Sequence, residues 1–143
     1  MGALLEVSNI SKRFTVARGL SGRPATLHAV DDVSFAIAPG ETLGLVGESG
    51  CGKSTVGKMI VRLLEPDAGR IVLDGVDITH APHGAMRPIR RKVQMIFQDP
   101  NGSLDPRQRS GDIVEEPLIV HGMGNSAQRK EKVAELFAHV GLR

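Results

Sequence analysis

A nine-residue segment places the strongest constraint on how this chain folds. From Gly47 to Thr55 it reads G-E-S-G-C-G-K-S-T, with three glycines in its first six positions and a lysine and two hydroxyl residues after them. The compact apolar run TLGLV, residues 42–46, comes directly before it and is typical of a buried parallel strand. Apolar residues then recur at the spacing of one helix face, at Val56, Met59, Ile60 and Leu63. The sequence therefore predicts a strand, a glycine loop and a helix in succession.

Phosphate groups are the ligands that such a loop suits. A curled loop can point several backbone N–H groups at one anion only where no Cβ blocks the approach, and Gly47, Gly50 and Gly52 remove that block. The segment matches the Walker A pattern G-x-x-x-x-G-K-[ST], and the helix that starts near Lys53 adds its positive N-terminal end. We predict that Lys53 reaches the β- and γ-phosphates and that the Ser54 hydroxyl binds Mg²⁺. The predicted nucleotide-binding residues of this loop are Gly47, Glu48, Ser49, Gly50, Cys51, Gly52, Lys53, Ser54 and Thr55.

The composition is that of a soluble, globular domain. The chain has 143 residues, of which 41% are apolar and 24% charged, enough for one domain with its own core. Its formal net charge of +2 is too small to indicate a nucleic-acid partner, and no apolar run reaches the ~20 residues of a membrane span. The single cysteine excludes an internal disulfide framework and fits a reducing compartment. Cys51 is interpreted first as a small residue that contributes its backbone, and second as a redox-sensitive thiol.

Strand and helix patterns alternate along the rest of the chain. Apolar residues partly alternate with polar ones in the strand segments near the N-terminus and form continuous runs in those farther on. Asp74-Gly75 is typical of a two-residue hairpin turn. The predicted elements are strands at Leu4–Val16, Val30–Ala38 and Val93–Phe97, a hairpin over residues 70–78, a first helix ended by Pro66, Asp67 and Gly69, a last helix from a Ser126 cap to Gly141, loops at 17–24 and 99–106, and a solvated basic face at Arg87, Arg90, Arg91 and Lys92.

The glycine loop by itself leaves several classes of nucleotide-binding protein open. GTPases, small kinases, recombinase-type motors and transport ATPases all carry such loops. A GTPase should also carry an [NT]-K-x-D guanine reader, and no lysine of this chain lies in one. Asp99 to Gly102 does match a D-x-x-G triphosphate sensor, so a GTPase stays a minor alternative. Nothing local speaks for the acceptor site or lid of a kinase.

Two segments carry a resemblance to a known family. ETLGLVGESGCGKST (41–55) and QMIFQDPNGSLDPR (94–107) resemble the ATP-binding subunit of an ABC transporter, in the dipeptide and oligopeptide importer group that also handles nickel and glutathione. The resemblance implies an α/β P-loop NTPase fold of the ABC ATPase type. The fold it implies is incomplete, with an antiparallel β subdomain, part of the RecA-like core and the start of the helical subdomain. Residues 1–143 would form a single partial nucleotide-binding domain, with Walker A at 47–55 and the Q-loop at about 98–106.

The same resemblance assigns roles outside the glycine loop. Phe14, in SKRF, falls where the family places an aromatic ring that stacks on adenine; the alternative is an ordinary strand core residue. Gln98 matches the Q-loop glutamine, which meets Mg²⁺ or its water, or else is a polar cap on a strand end. Asn101 to Arg107 would contact a membrane subunit. The implied cofactors are ATP and Mg²⁺. The implied partners are permease transmembrane subunits and a second nucleotide-binding subunit, at the cytoplasmic face of the cell membrane.

Three further ATPase motifs of the family are not found in the sequence. These are the LSGGQ-type signature, a Walker B strand ending in Asp-Glu, and a switch histidine. The run IVLD (71–74) resembles a Walker B strand, but Gly75 follows it, so it is interpreted as part of the hairpin. Glu115-Glu116 is interpreted as a helix surface. His80-x-x-His83 is a weak candidate for a metal-binding pair. We expect the N-terminal part of an ABC ATPase subunit, marginally folded through its open sheet edges, that binds nucleotide with negligible turnover. The alternatives are a non-catalytic regulatory fragment and an inert remnant.

Overall fold

The computed structural model describes residues 2–16, 24–99 and 102–142. The chain forms two compact units, residues 1–95 and residues 96–143, which are described separately. Residues 17–23 of the predicted first loop and residues 100–101 of the second lie outside the described ranges. The elements are β1 (Leu5–Val16), β2 (Ala25–Ile37), α1 (Lys53–Ile60), β3 (Ala68–Leu73), β4 (Val76–Asp77), α2 (His83–Ile89), α3 (Ser110–Val120) and α4 (Ser126–His139).

An antiparallel sheet of order β2-β1-β3-β4 organises the first unit. β1 pairs along both of its edges, so that Leu5 lies opposite Ile37 on one side and Leu73 on the other. The sheet confirms the antiparallel β part of the expected fold class. β2 begins five residues earlier than the predicted strand, because residues 25–30 pair with the end of β1. Pairing to a neighbouring strand extends an element beyond its apolar pattern.

The hairpin between β3 and β4 confirms the interpretation of Asp74-Gly75. Leu73 pairs with Val76, and Asp74 and Gly75 between them have φ angles of 50° and 75°. Two left-handed residues in succession make a type I′ turn, whose twist matches that of the flanking strands. The IVLD run therefore ends in a turn, as the sequence predicted.

The core of the first unit lies between one face of the sheet and the segments that follow it. Val56 and Met59, predicted on the inner face of the first helix, are both buried. The largest fully buried side chains are Ile10, Met59, Ile71, Ile78 and Met86. Burying each of them contributes about 1.5–3 kcal/mol, so this cluster accounts for much of the packing that holds α1 on the sheet.

Helix α1 ends at Ile60, well before the predicted stop at Pro66. Arg62 adopts a left-handed φ of 55°, and its N–H donates to the carbonyl of Met59. The N–H of Leu63 donates to the carbonyl of Lys58, which completes a Schellman motif. The prediction failed because glycine is the usual residue at this position and an arginine gives no such signal. Leu63, predicted on the helix face, therefore lies beyond the helix and is 56% exposed.

The strand predictions for residues 42–46 and 93–97 were wrong in this structure. Neither segment is a strand, and the four described strands all belong to the antiparallel sheet. Val46 and Ile96 are 94% and 97% exposed. A strand exists only with a hydrogen-bonded neighbour, and no described strand pairs with either run. Neither run therefore forms a strand, and residues 42–46 are exposed although their sequence is suited to burial.

The second unit contains the helices α3 and α4. Arg129 Nε donates to Glu115 Oε1 at 2.9 Å, and both side chains are largely buried, at 21% and 17% exposure. Glu115 thus joins the two helices, as a helix-surface residue can. The cap of α4 is Asn125 rather than the predicted Ser126, in a capping box with Gln128. Gly141 follows α4 with a φ of 73°, as predicted.

Helix α2 was not predicted, because its basic residues and Pro88 gave no apolar periodicity. Within the predicted basic face, Lys92 pairs with Asp74 at 2.5 Å. None of the helices in the described ranges is long and apolar enough to cross a membrane.

We expect Gly69 to tolerate substitution far less than Gly75, although both have left-handed φ angles of 91° and 75°. A Cβ on Gly69 would lie 2.4 Å from the carbonyl oxygen of Asn9, whereas one on Gly75 would meet nothing within 4 Å. Gly75→Ala should therefore lower the free energy of unfolding by about 1 kcal/mol from backbone strain alone, and Gly69→Ala by about 3 kcal/mol from strain and overpacking together. Urea unfolding of the two variants tests this. Equal losses would show that the close approach to Asn9 relaxes.

Candidate functional site

The glycine loop leads directly into the N-terminus of α1. Residues 47–51 are exposed, and α1 begins at Lys53. Gly50 and Gly52 have φ angles of 83° and 98°, which residues with a Cβ rarely adopt. Gly52 is the N-cap of α1 and has no side chain that could accept hydrogen bonds from the first turn. The first N–H groups of α1 therefore stay available to an external anion, together with the positive end of the helix dipole.

The sheet fixes where this loop ends. Between the pairs Lys12–Val30 and Arg13–His28, β2 uses one residue more than β1, so Ala29 is the extra residue of a β-bulge. A Cβ on Gly52 would lie 2.2 Å from the carbonyl oxygen of Ala29. Only glycine allows this approach. The third glycine of the loop is therefore required by packing against the sheet as well as by its left-handed backbone.

A second close approach lies inside the loop. A Cβ on Gly47 would stand 2.6 Å from the sulfur of Cys51. Cys51 is exposed and unbridged, and its Sγ lies 3.4 Å from Lys53 Nζ. Its side chain thus packs on the loop instead of contributing backbone alone. No pattern in the sequence indicates this contact, because it depends on how tightly the loop curls.

Lys53 spans the loop from the first turn of α1. Its Nζ donates to the carbonyl of Gly47 at 2.7 Å and to that of Glu48 at 2.6 Å. These bonds hold the loop curled and fix an ammonium group beside its backbone. Ser54 and Thr55 follow in the first turn, where Ser54 is exposed and Thr55 half-buried. The structure therefore brings together the predicted residues 47–55 as one glycine-lined surface at a helix N-terminus, with the Lys53 ammonium held against it.

Phe14 lies on the sheet face that adjoins this loop. Lys12 Nζ stands 5.9 Å from the centroid of the Phe14 ring, so the two side chains share a face of β1. Lys12 pairs with Val30, whose Cγ2 would be 3.5 Å from a Cβ on Gly52. Phe14 pairs with Leu27, which is two residues, or about 7 Å, along β2 from Ala29. The residue is 37% exposed, which is unlike a core residue.

The position of Lys12 beside Phe14 is fixed by an ion pair. Lys12 Nζ lies 2.6 Å from Asp67 Oδ1, and the other oxygen of Asp67 accepts the backbone N–H of Arg13 at 2.7 Å. The Lys12 hydrogen bond, followed by that from Arg13, holds the pKa of Asp67 below its usual value. Asp67 thus stays ionised and ties the outer part of β1 to the start of β3.

The second unit carries the remaining predicted residues. Gln98 is exposed. Asp99 Oδ1 accepts the N–H of Gly102 at 3.1 Å, so its carboxylate organises a turn. Arg107 is exposed and pairs with Asp105, as a solvated charge would. Asn101 lies outside the described residues.

No metal cluster supports the His80–His83 pair. Within residues 2–16, 24–99 and 102–142, no group of three or more His, Cys, Asp or Glu side chains is placed to hold a metal ion. His80 instead contacts Glu65, with 2.9 Å between Nδ1 and Oε1.

Comparison with known proteins assigns the class. The residues 30–143 match the family model described as ABC transporter. The chain is 46% identical over 141 residues to the glutathione import ATP-binding protein GsiA of Salmonella paratyphi A, and 45% identical over 141 residues to the oligopeptide transport ATP-binding protein AppF of Bacillus subtilis. These matches cover 98% and 97% of this chain but 23% and 43% of the two relatives. The chain thus spans less than half the length of either.

Solved structures give the same assignment. The fold is similar, with a TM-score of 0.80 and 26% sequence identity, to the dimeric structure of a post-hydrolysis state of the ATP-binding cassette MJ0796 bound to ADP and Pi. That match covers 97% of this chain and 58% of the solved one. Sheet, glycine loop and helix therefore define an ABC-type P-loop fold, which confirms the expected fold class. The chain belongs to the ABC transporter family.

We expect the cost of a Cβ at Gly47 to depend on Cys51. Gly47→Ala should weaken the binding of inorganic triphosphate by about 1 kcal/mol, roughly fivefold, because the new methyl group displaces Sγ and distorts the loop. Cys51→Ala should restore most of that loss in the double variant, since the contact at 2.6 Å is then removed. Calorimetric titration of the four forms measures the coupling. Gly44→Ala is the control, because its Cβ would meet nothing within 4 Å. Additive losses would contradict the contact.

Proposed function

We propose that this chain is an ATP-binding component of an ABC-type peptide importer and binds MgATP on residues 47–55. The observation that carries the proposal is the Lys53 ammonium held against the carbonyls of Gly47 and Glu48, beside the open N–H groups of α1. A triphosphate supplies anionic oxygens for the ammonium and for these N–H groups to bind. The relatives support the choice of nucleotide, since they are described as ATP-binding proteins of glutathione import and oligopeptide transport.

The residues of the loop would divide the work of binding. Backbone N–H groups from Gly47 to Thr55 donate to phosphate oxygens, and Lys53 exchanges its two carbonyl acceptors for the β- and γ-phosphates. The exchange conserves hydrogen bonds while it replaces neutral acceptors by charged ones, and charge-assisted bonds are about twice as strong. Ser54, exposed in the first turn, would hold Mg²⁺, with Gln98 as a second candidate ligand. Bound ATP supplies the phosphoanhydride that the complete family member hydrolyses.

Phe14 would hold the adenine ring. Its half-exposed ring lies on the same face of the sheet as the Val30 side chain, which lies close to Gly52. A flat aromatic face stacks on a base without forming hydrogen bonds to its edges. The neighbouring Lys12 ammonium adds a cation beside the same face. This placement favours the stacking role over the alternative of a core residue.

The wider assembly follows from the relatives. The transport roles in their names imply a membrane permease, and the dimeric cassette structures imply a second nucleotide-binding subunit. The proposed site of action is the cytoplasmic face of the cell membrane. Residues 1–143 would act as a nucleotide-binding domain, with residues 98–106 as the Q-loop.

Catalysis needs groups that these 143 residues do not supply. The sequence has no Asp-Glu Walker B end, no LSGGQ-type signature and no switch histidine motif. Without a carboxylate to orient the attacking water and a donor facing the γ-phosphate, the barrier to hydrolysis stays high. We infer that the chain by itself binds nucleotide and does not turn it over, which also suits a non-catalytic regulatory role.

We expect two substitutions to separate base from phosphate binding. Phe14→Ala should weaken ATP about fivefold to tenfold and leave inorganic triphosphate unchanged, because stacking contributes about 1–3 kcal/mol per base. Lys53→Met should weaken both ligands by about tenfold or more, since each loses a charge-assisted bond. Leu4→Ala, also at an exposed apolar residue, is the control. Calorimetry that found equal losses of ATP and triphosphate in Phe14→Ala would remove Phe14 from the site, and an unchanged Lys53→Met would refute the proposal.

Phosphate release should be the same for the wild-type chain and for Lys53→Met, although the wild type binds MgATP more tightly. The physical reason is the lack of a carboxylate to orient water at the γ-phosphate. A steady-state assay with malachite green measures the rates. Turnover that depends on Lys53 would overturn the inference that this chain does not hydrolyse ATP, while leaving nucleotide binding intact.

A further inference from the structure

The strand that carries Phe14 continues beyond the strand that supports its inner edge. β1 pairs with β3 only as far as Ser11, which lies opposite Ala68, the first residue of β3. From Lys12 to Val16, the described pairing of β1 is with β2 alone. A two-stranded ribbon is marginally stable in water, so the position of a side chain on it depends on contacts from outside the ribbon.

Asp67 provides such contacts at the open edge of β1. Its N–H donates to the carbonyl of Ser11 at 2.9 Å, and its Oδ2 accepts the N–H of Arg13 at 2.7 Å. The carboxylate thus accepts the hydrogen bond that a backbone carbonyl would accept if β3 were longer. Arg13 directly precedes Phe14, so this bond fixes the backbone from which the Phe14 ring extends.

The same carboxylate fixes the ammonium group of Lys12. Lys12 Nζ lies 2.6 Å from Asp67 Oδ1 and stands over the Phe14 ring, 5.9 Å from its centroid. The Lys12 side chain is only 14% exposed. A free lysine side chain samples many rotamers, and burial together with the ion pair removes most of that freedom. The ammonium therefore keeps one position relative to the ring.

A cation over one face of an aromatic ring changes what the other face can bind. The faces of the ring carry negative potential, and a nearby ammonium reduces that potential through the whole π system. A nucleobase that stacks on the opposite face then meets less repulsion between the two π clouds. Lys12 thus favours stacking on Phe14 without contact with the base itself.

We propose that Lys12 and Asp67 are positioning residues for base binding. Asp67 holds the Lys12 ammonium over one face of the Phe14 ring, and the opposite face receives the base. The inference rests on the proposed role of Phe14 in binding adenine. In the described part of the chain, the hydrogen bonds of both side chains stay within this cluster and do not reach the glycine loop. Affinity for the base therefore depends on a carboxylate to which the binding of phosphate is insensitive.

Calorimetric titration with MgATP and with inorganic triphosphate tests this division. Asp67→Asn keeps the shape of the side chain and an oxygen for the N–H of Arg13, but removes the charge that binds Lys12. We expect this variant and Lys12→Met each to weaken ATP about threefold and to leave triphosphate unchanged. Asp74→Asn is the matched control, because it removes a carboxylate from an ion pair with Lys92 at the other end of β3.

The Phe14→Ala background shows whether Asp67 acts through the ring. In that background Asp67→Asn should cause no further loss of ATP affinity, whereas an independent contact would add its full threefold loss. Proton NMR of the nucleotide-free chain gives a second readout. The ring current of Phe14 should shift the ε-methylene protons of Lys12 upfield, and this shift should decrease in Asp67→Asn and vanish in Phe14→Ala.

The outcomes separate this inference from the one on which it rests. The positioning role is overturned if Phe14→Ala weakens ATP but Asp67→Asn does not, if the loss in Asp67→Asn extends to triphosphate, or if that loss persists in the Phe14→Ala background. An unchanged ε-methylene shift in Asp67→Asn also overturns it. If Phe14→Ala leaves ATP binding unchanged, the base-binding role of Phe14 is refuted, and the positioning role with it.

Discussion

The contact between Gly52 and the carbonyl of Ala29 is the constraint on which the rest of this structure depends. It joins the last glycine of the loop to a bulge in β2, at a distance that no other residue allows. The sheet thereby sets where α1 begins, and α1 in turn carries Lys53 and the open N–H groups of its first turn. A local feature of the sequence, the glycine loop, thus gains its orientation from a pairing irregularity more than twenty residues earlier.

The loop itself is held by charge. Lys53 binds two carbonyls of the segment that its own helix follows, so the curl is closed before any ligand arrives. In the proposed complex, association would need an exchange of acceptors around a fixed ammonium, and little of the loop's conformational entropy would remain to be lost. Phe14 is held beside Lys12 on the neighbouring strand, and in the proposed complex it would stack on the base. The two parts are built on different elements, which is why we expect their contributions to affinity to be separable.

How far the sequence predicts this structure depends on the range of each interaction. The glycine loop, the Asp74-Gly75 turn and the α4 segment rest on neighbours within a few residues, and all three were predicted. The strand predictions for residues 42–46 and 93–97 were wrong, because a strand needs a neighbouring strand and the local sequence pattern does not reveal whether one is present. The early end of α1 was missed because Arg62 adopts a backbone that its residue type disfavours. In the candidate site, the Gly47–Cys51 and Gly52–Ala29 contacts could not be predicted, because both depend on how the folded chain brings these residues together. The roles of Phe14 and Gln98 stay predictions.

The bulge at Ala29 has a consequence for how copies of the chain meet one another. β2 is an outer strand of the described sheet, and a long flat edge of unpaired amides and carbonyls invites a strand from another molecule to zip onto it. The extra residue breaks the even spacing of those groups, and Asp31 and Asp32 set two negative charges just beyond it. An incoming strand would lose its register after a few residues and meet repulsion from a copy of itself. The irregularity that seats the glycine loop therefore also guards the sheet against intermolecular growth.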